Sequence, residues 1–223
     1  MTASIWVGAL EQGLLYGVMV LGVYITFRVL DFPDLTVDGS FTLGAAVAAR
    51  LIYSGYSPWL ATFMGLVAGL IAGLCTGLLH TKLRIAPLLA GILMMIALYS
   101  INLRVMGGKS MLSLLRIDTV FTDITAAGIP KELAVVSLGV AFIIVICYLL
   151  YSFLQTEVGL ALRATGDNEQ MIRSLGVNTN YSKVVGLSLG NGLVGLSGAL
   201  VAQYQSFSDV GMGIGMIVVG LAS

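Results

Sequence analysis

Long apolar segments alternate with short polar ones along this chain. Five of them are mostly apolar and about 20 residues or longer, which is the length that an α-helix needs to cross a bilayer; they cover residues 2–27, 57–79, 85–103, 133–155 and 184–208. The pattern predicts an all-α fold, a polytopic transmembrane helical bundle that forms a single transmembrane domain over residues 1–223.

A sixth segment does not fit the simple template. The polar residues 31–40 precede an apolar stretch, 41–53, that is too short to span alone. The chain crosses here only if Asp38 and its neighbours enter the membrane, where charged, irregular backbone is tolerated in a protein interior or along a watery cavity. We therefore predict one broken helix and about six spans. The uncharged, Gly-rich residues 210–223 predict an incomplete seventh.

Several polar side chains fall within these apolar regions. Asp34, Asp38 and Ser40 can each cap a helix start, and broken helices in transporters meet solutes with such ends; a capped turn at the membrane interface is the alternative. Glu11 either faces a cavity or is solvated near the interface. The candidates for a translocation path are Glu11, Asp34, Thr36, Asp38, Ser40 and Asn191.

Glycines recur every four residues in the second span, at Gly65, Gly69, Gly73 and Gly77. This spacing places them on one helix face, where they let another backbone approach closely. We expect tight packing inside the bundle, with a subunit interface or a moving contact as the alternative.

Composition narrows the function classes. Hydrophobic residues make up 58% of the chain and charged ones 10%, and eleven basic residues balance eleven acidic ones. This composition excludes a basic nucleic-acid binder. The chain has one histidine, so we do not expect a metal site built from histidines. Cys75 and Cys147 are expected to be buried, unpaired thiols. Gly107-Gly-Lys-Ser lacks the first glycine of a Walker A motif, so this chain is not expected to bind nucleotide.

The polar stretch 157–183 predicts a short helix outside the bilayer. Residues 160–164 continue the preceding span, Gly166 breaks it, Asp167 is the expected N-cap and Gly176 ends the new helix. Its apolar side chains are Met171, Ile172 and Leu175. Such a helix lies on lipid or docks into a groove of a partner.

Two sequence stretches resemble a known family. Residues 163–203 contain Arg-Ala-Thr-Gly-Asp-Asn-Glu, Ser-Leu-Gly-Val-Asn, Lys-Val-Val-Gly-Leu and Gly-Leu-Ser-Gly-Ala-Leu. They look like the coupling loop and following helix of ABC importer permeases of the branched-chain amino acid and ribose class. Leu-Asp-Phe-Pro-Asp-Leu-Thr-Val-Asp-Gly-Ser-Phe-Thr-Leu-Gly-Ala-Ala, near the N-terminus, is similar to the subgroup that includes permeases for tryptophan and other aromatic amino acids.

The resemblance implies a transport subunit without enzymatic activity, placed in the bacterial inner membrane. ATP and Mg would bind to separate ABC ATPase subunits, and no cofactor to this chain. The other implied partners are a second, identical permease chain, an extracytoplasmic solute-binding protein and the lipid bilayer, with no nucleic acid. The implied contacts to the ATPase are Arg163, Asp167, Glu169, Met171, Ile172, Arg173, Leu175 and Gly176.

The resemblance also implies more chain. Permeases of this class continue past the Gly-Leu-Ala-Ser found here at 220–223, so C-terminal helices are expected to be missing. The sequence favours a permease subunit that moves a small solute, an amino acid or a related molecule. Two alternatives stay open: an ion-coupled secondary carrier that uses Glu11 and the Asp31–Asp38 cluster, and a degenerate permease-like scaffold that transports nothing.

Overall fold

A computed structural model describes residues 2–115, 117–126 and 131–223. Arg116 lies outside the described residues. The helices are α1 (Thr2–Val23), α2 (Thr36–Tyr53), α3 (Pro58–Leu83), α4 (Pro87–Val105), α5 (Val120–Ala126), α6 (Lys131–Leu154), α7 (Glu157–Asp167), α8 (Glu169–Ser174), α9 (Thr179–Gln205) and α10 (Met216–Ala222). A π-helical segment, Tyr24–Val29, extends α1, and two short strands are β1 (Met111–Ser113) and β2 (Phe207–Asp209).

The predicted helical bundle is confirmed, and five of the about six predicted spans are found; α2, the predicted broken span, is not among them. Five helical segments of the described chain are long and apolar enough to cross a membrane, and they cover Trp6–Val29, Pro58–Leu83, Pro87–Val105, Val135–Leu154 and Thr179–Gln205. Pro58 and Pro87 each stand at the start of their helix, where the missing N–H of proline costs no hydrogen bond. The chain is therefore a multi-pass membrane protein.

Helix α9 is the centre of the bundle. It packs against α1, α2 and α3, and 72% of its most apolar stretch is buried inside the protein. The glycine face of α3 meets it. A Cβ at Gly69 would overlap the carbonyl oxygen of Asn191, and one at Gly73 would overlap that of Leu187. Because no side chain separates the two backbones, α3 and α9 lie in direct backbone contact.

The helix after the break begins earlier than a cap at Asp38 or Ser40 would place it. Residues 30–35, called the break below, separate the π-helical segment from α2, and Asp31 adopts a positive φ of 53°. Helix α2 starts at Thr36, so Asp38 and Ser40 lie inside it and do not cap its start. Only the carboxylate of Asp34 accepts a hydrogen bond from the first turn, from the Thr36 N–H at 2.9 Å.

The C-terminal segment combines a strand, a turn and a short helix. Strand β2 pairs antiparallel with β1, with Leu112 opposite Ser208, both buried. This small ladder ties the segment after α4 to the end of α9, and the helical pattern gave no sign of it. After the turn, α10 covers part of the region where the sequence predicted a further span.

Three details of the 157–183 stretch differ from the prediction. Helix α7 is a new helix with Thr156 as its N-cap, and it does not continue α6. Gly166 does not break it, since the glycine packs directly on the Val29 carbonyl and the helix runs on to Asp167. The N-cap of α8 is Asn168, whose Oδ1 accepts the Met171 N–H at 3.0 Å, and Asp167 has no capping role there.

The two cysteines are both free, and one differs from expectation. Cys75 is half-buried, but Cys147 is exposed on α6. The prediction of two buried thiols is wrong for Cys147 because α6 turns much of its surface away from the bundle, towards the surroundings.

Candidate functional site

Helix α8 presents two apolar side chains to the surroundings. Met171 is 54% exposed and Leu175, one turn later, is 70% exposed; these two residues are called the docking pair. Ile172 points the other way and is buried, so it supports the helix from below. Gly176, with φ of +87°, ends the helix immediately after Leu175. The arrangement is a short, sharply bounded apolar knob.

The docking pair stands on a helix held by charged side chains. Glu169 accepts from Arg173 at 2.8 Å and from Lys183 of α9 at 2.8 Å, while Thr179 bonds to both Glu169 and Arg173. Burial raises the pKa of the Glu169 carboxyl, but the hydrogen bond and charge of Lys183, with Thr179 and Arg173, outweigh it and lower the pKa. Glu169 is therefore a carboxylate at neutral pH, and it fixes α8 to α9.

Arg163 and Asp167 of α7 lie beside this helix. Both are exposed, and with Tyr24, Arg28 and Val29 they line an open, mostly polar cavity of about 480 Å³. The residues that the sequence assigned to one contact surface therefore divide into an apolar knob, a buried support and a polar neighbouring cleft.

Four of the translocation-path candidates meet in one buried group. Asp34, Thr36, Ser40 and Asn191 are each 0% exposed. Asn191 Nδ2 donates to Asp34 Oδ2 at 2.5 Å, and Ser40 Oγ donates to Asn191 Oδ1 at 2.7 Å. Thr36 Oγ1 shares a hydrogen bond of 2.9 Å with Thr76 Oγ1 of α3. We call these five residues the polar cluster.

The polar cluster fastens the start of α2 to its neighbours. Asn191 brings α9 to the break, and Thr76 brings α3 to the first residue of α2. Buried polar groups are stable only when their hydrogen bonds are made, and each member here has a partner. The cluster therefore sets the position of the break and of α2.

Asp38 lies apart from the cluster, in the wall of a cavity of about 500 Å³. Its two carboxylate oxygens accept the backbone N–H groups of Gly215 at 3.0 Å and Ile217 at 2.9 Å, so Asp38 caps α10 across the fold. The cavity, called the side cavity below, is lined by Asp38, Gly39, Thr42, Met95, Ile96, Tyr99, Ser100, Asn102, Val210 and Ile214.

Asn102 is the unusual member of this lining. It is 1% exposed, and its Nδ2 donates to the Gly39 carbonyl at 3.3 Å. Its Oδ1 is the buried side-chain atom that finds no hydrogen-bond partner among the described residues. A buried amide oxygen needs a donor, so the Oδ1 of Asn102 is an unsatisfied acceptor buried in the wall of the side cavity.

The sequence analysis did not identify Tyr99, Ser100 or Asn102 as candidate site residues. Ser100 and Asn102 could have been identified, because they are polar residues within an otherwise apolar span. Glu11, which the sequence did select, is buried on α1, where Tyr204 of α9 donates to its Oε2 at 2.9 Å. It is not part of the side-cavity lining.

Comparison with known proteins covers nearly the whole chain. Residues 5–223 match the family described as branched-chain amino acid transport system / permease component. A tyrosine transport system permease protein of Clostridioides difficile is 46% identical, over 97% of this chain and 70% of that protein. An uncharacterized protein of Rickettsia prowazekii is 38% identical, over 99% of this chain and 75% of the other.

A more distant relative is the autoinducer 2 import system permease protein of Escherichia coli, 29% identical over 85% of this chain and 54% of that protein. No solved structure matches the chain. The match over residues 5–223 and the membrane-spanning bundle agree with each other. The chain belongs to the family of permease components of branched-chain amino acid transport systems, and it is a non-catalytic, membrane-spanning subunit that moves small solutes.

Proposed function

We propose that this chain is the membrane subunit of an ATP-driven importer of an aromatic amino acid, and that residues 157–183 are its coupling loop. The observation that carries the proposal is the docking pair, two large apolar side chains held exposed on a helix that Glu169 ties to α9. Exposed apolar side chains on a rigid helix are suited to a groove on another protein.

The family implies an ATPase subunit and a solute-binding protein as partners. In this proposal the ATPase groove receives Met171 and Leu175, and Arg163, Asp167 and Arg173 form a polar rim around them. ATP and Mg bind to that ATPase. A secondary carrier needs no partner ATPase, so it would not explain the exposed apolar side chains on this ion-paired helix. The importer is therefore favoured over the carrier.

Support for an aromatic solute comes from similarity and from the side cavity. The relative that is 46% identical carries the name of a tyrosine transport system. The side cavity has mainly apolar walls, including Met95, Ile96 and Tyr99, with a few polar residues such as Ser100 and Asn102 in its lining. Apolar walls with few fixed polar groups suit a ring with a polar end.

A second copy of the chain completes the pathway in this proposal. The side cavity is open on one side, and Ile96, Tyr99 and Ile214 at its edge are 60%, 55% and 77% exposed. A twofold partner would cover this edge and close the cavity between two chains.

The test is a double substitution of the docking pair, M171E/L175E, in the tagged chain expressed in its native membranes. Loss of an anchor in a docking groove costs about 2 kcal/mol or more, which is at least a tenfold loss of binding by the conversion of about 1.4 kcal/mol per decade. We expect the ATPase to co-purify with the wild-type chain and to be lost from the variant.

The matched control is Asn180→Glu, which adds a carboxylate to an exposed position in the first turn of α9 and leaves the docking pair intact. It should retain the ATPase. Equal retention by M171E/L175E, or a wild-type chain that purifies without an ATPase, would overturn the proposal and favour the carrier.

A further inference from the structure

Helix α8 is joined to the break before α2 by a continuous row of side chains. Lys183 Nζ lies 2.8 Å from Glu169 Oε2 and 3.4 Å from His80 Nε2. The His80 ring stands edge-on to the ring of Phe32, with centroids 5.2 Å apart. Four residues therefore connect α8, α9, α3 and the break, and we call them the relay.

The hydrogen bonds of His80 define its place in the relay. Its Nδ1 lies 2.8 Å from the carbonyl oxygen of Ile85. A carbonyl only accepts, so Nδ1 carries the hydrogen, and Nε2 of the neutral ring is an acceptor. Lys183 then donates to His80 Nε2 and to Glu169 together. Its side chain is 15% exposed, so a mostly buried ammonium bridges α8 to α3.

Helix α7 packs against the break and against Val29, the residue before it. Gly166 sits against the carbonyl of Val29, where a Cβ would overlap that oxygen. Leu162 of α7 belongs to one buried cluster with Leu30 and Phe32. Close-packed interiors transmit displacement because they have no free volume to absorb it. A movement of α7 and α8 therefore reaches the break through packing and through the relay.

We propose that Lys183 and His80 are positioning residues that carry the movement of α8 to the break, and from there to the side cavity. The proposal rests on the proposed function, because it assumes that an ATPase moves α8. Phe32 lies two residues before Asp34, which holds the start of α2, and α2 supplies Asp38, Gly39 and Thr42 to the cavity wall. The relay couples ATP-driven closure of the ATPase to access of solute.

The experiment measures the cavity without knowledge of the solute. Ser100 in the cavity wall is replaced by Cys in a chain that carries Cys75→Ala and Cys147→Ser, and the complex with its ATPase is labelled with a maleimide. Trapping with ATP and vanadate should change the labelling rate by at least about fivefold, the lower range of typical coupling between sites.

Four further variants test the relay in this background. K183M removes the bridging ammonium and H80L removes the acceptor; both should retain the ATPase but reduce the ATP-dependent change to less than about twofold. H80Q supplies an amide oxygen as acceptor and should restore the change. K82M removes an equal charge from an exposed position on α3 and should behave as wild type.

Each outcome of this experiment either supports or contradicts the relay. A full ATP-dependent change in K183M and H80L, loss of the ATPase from both, or no ATP-dependent change at Ser100→Cys would overturn the relay. Absence of an ATPase from the wild-type preparation would instead contradict the proposed function itself. If K183M or H80L has a lower melting temperature than the wild type, E169Q is tested in the same assay, because it keeps the side-chain shape and removes the carboxylate charge that pairs with Lys183. It should reduce the ATP-dependent change in the same way, and a full change in E169Q would overturn the relay.

Discussion

At the scale of single residues, polar side chains at membrane depth have two different roles in this chain. Asp34 and Asn191 are fully buried and satisfy each other, so they fix structure. Asn102 is equally buried but keeps an unpaired oxygen beside a cavity. The sequence selected the first pair and missed Asn102, because residue type and spacing do not show which polar atom has a partner.

The Asn191 contact predicts a cost for its removal. In Asn191→Leu, Asp34 Oδ2 and Ser40 Oγ lose a buried partner, and an unsatisfied buried polar group costs about 1–3 kcal/mol. We expect a lower melting temperature of the detergent-solubilised protein. Asn180→Leu, at an exposed position of the same helix, is the control. Equal melting temperatures for the two variants would show that the polar cluster does not hold α2.

At the scale of elements, the long apolar segments predicted the five spans well, since a spanning helix needs about 20 mostly apolar residues. Details that depend on packing were not predictable. Gly166 lies within α7 and packs on the Val29 carbonyl, and the β1–β2 ladder joins segments almost 100 residues apart. The sequence located the short helix in residues 157–183, which we propose as the coupling loop, but the burial of Ile172 was visible only in the fold.

The α3–α9 contact gives a prediction at this scale. Gly73→Ala places a methyl group on the Leu187 carbonyl, and overpacking of this kind costs about 1–3 kcal/mol. Gly13→Ala is the matched control, because nothing lies within 4 Å of a Cβ at Gly13. Thermal melting should show Gly73→Ala destabilised, and Gly13→Ala unchanged or more stable by up to about 1 kcal/mol. Similar melting curves would contradict direct backbone contact between the two helices.

At the scale of the whole molecule, the two regions to which we assign a function are connected through the centre of the bundle. The docking pair lies at α8 and the side cavity is lined from α2, α4 and the segment that leads into α10. Helix α9 contacts both α8 and α2, and its Asn191 donates a hydrogen bond to Asp34 in the break. A change at one region must therefore pass through the most buried part of the fold, where packing leaves few independent movements.

The open edge of the side cavity yields the last prediction, which concerns the proposed second chain. Residues near a twofold axis meet their own copies, so Ile214→Cys, in the Cys75→Ala and Cys147→Ser background, should form a disulfide-linked dimer in native membranes under mild oxidant. Ile214 is 77% exposed at the cavity edge. Ile144→Cys on α6 is comparably exposed, at 62%, but contributes nothing to the cavity lining, and it should stay monomeric on a non-reducing gel. The reverse result, a dimer through Ile144→Cys alone, would place the second chain on α6 and leave the side cavity facing lipid.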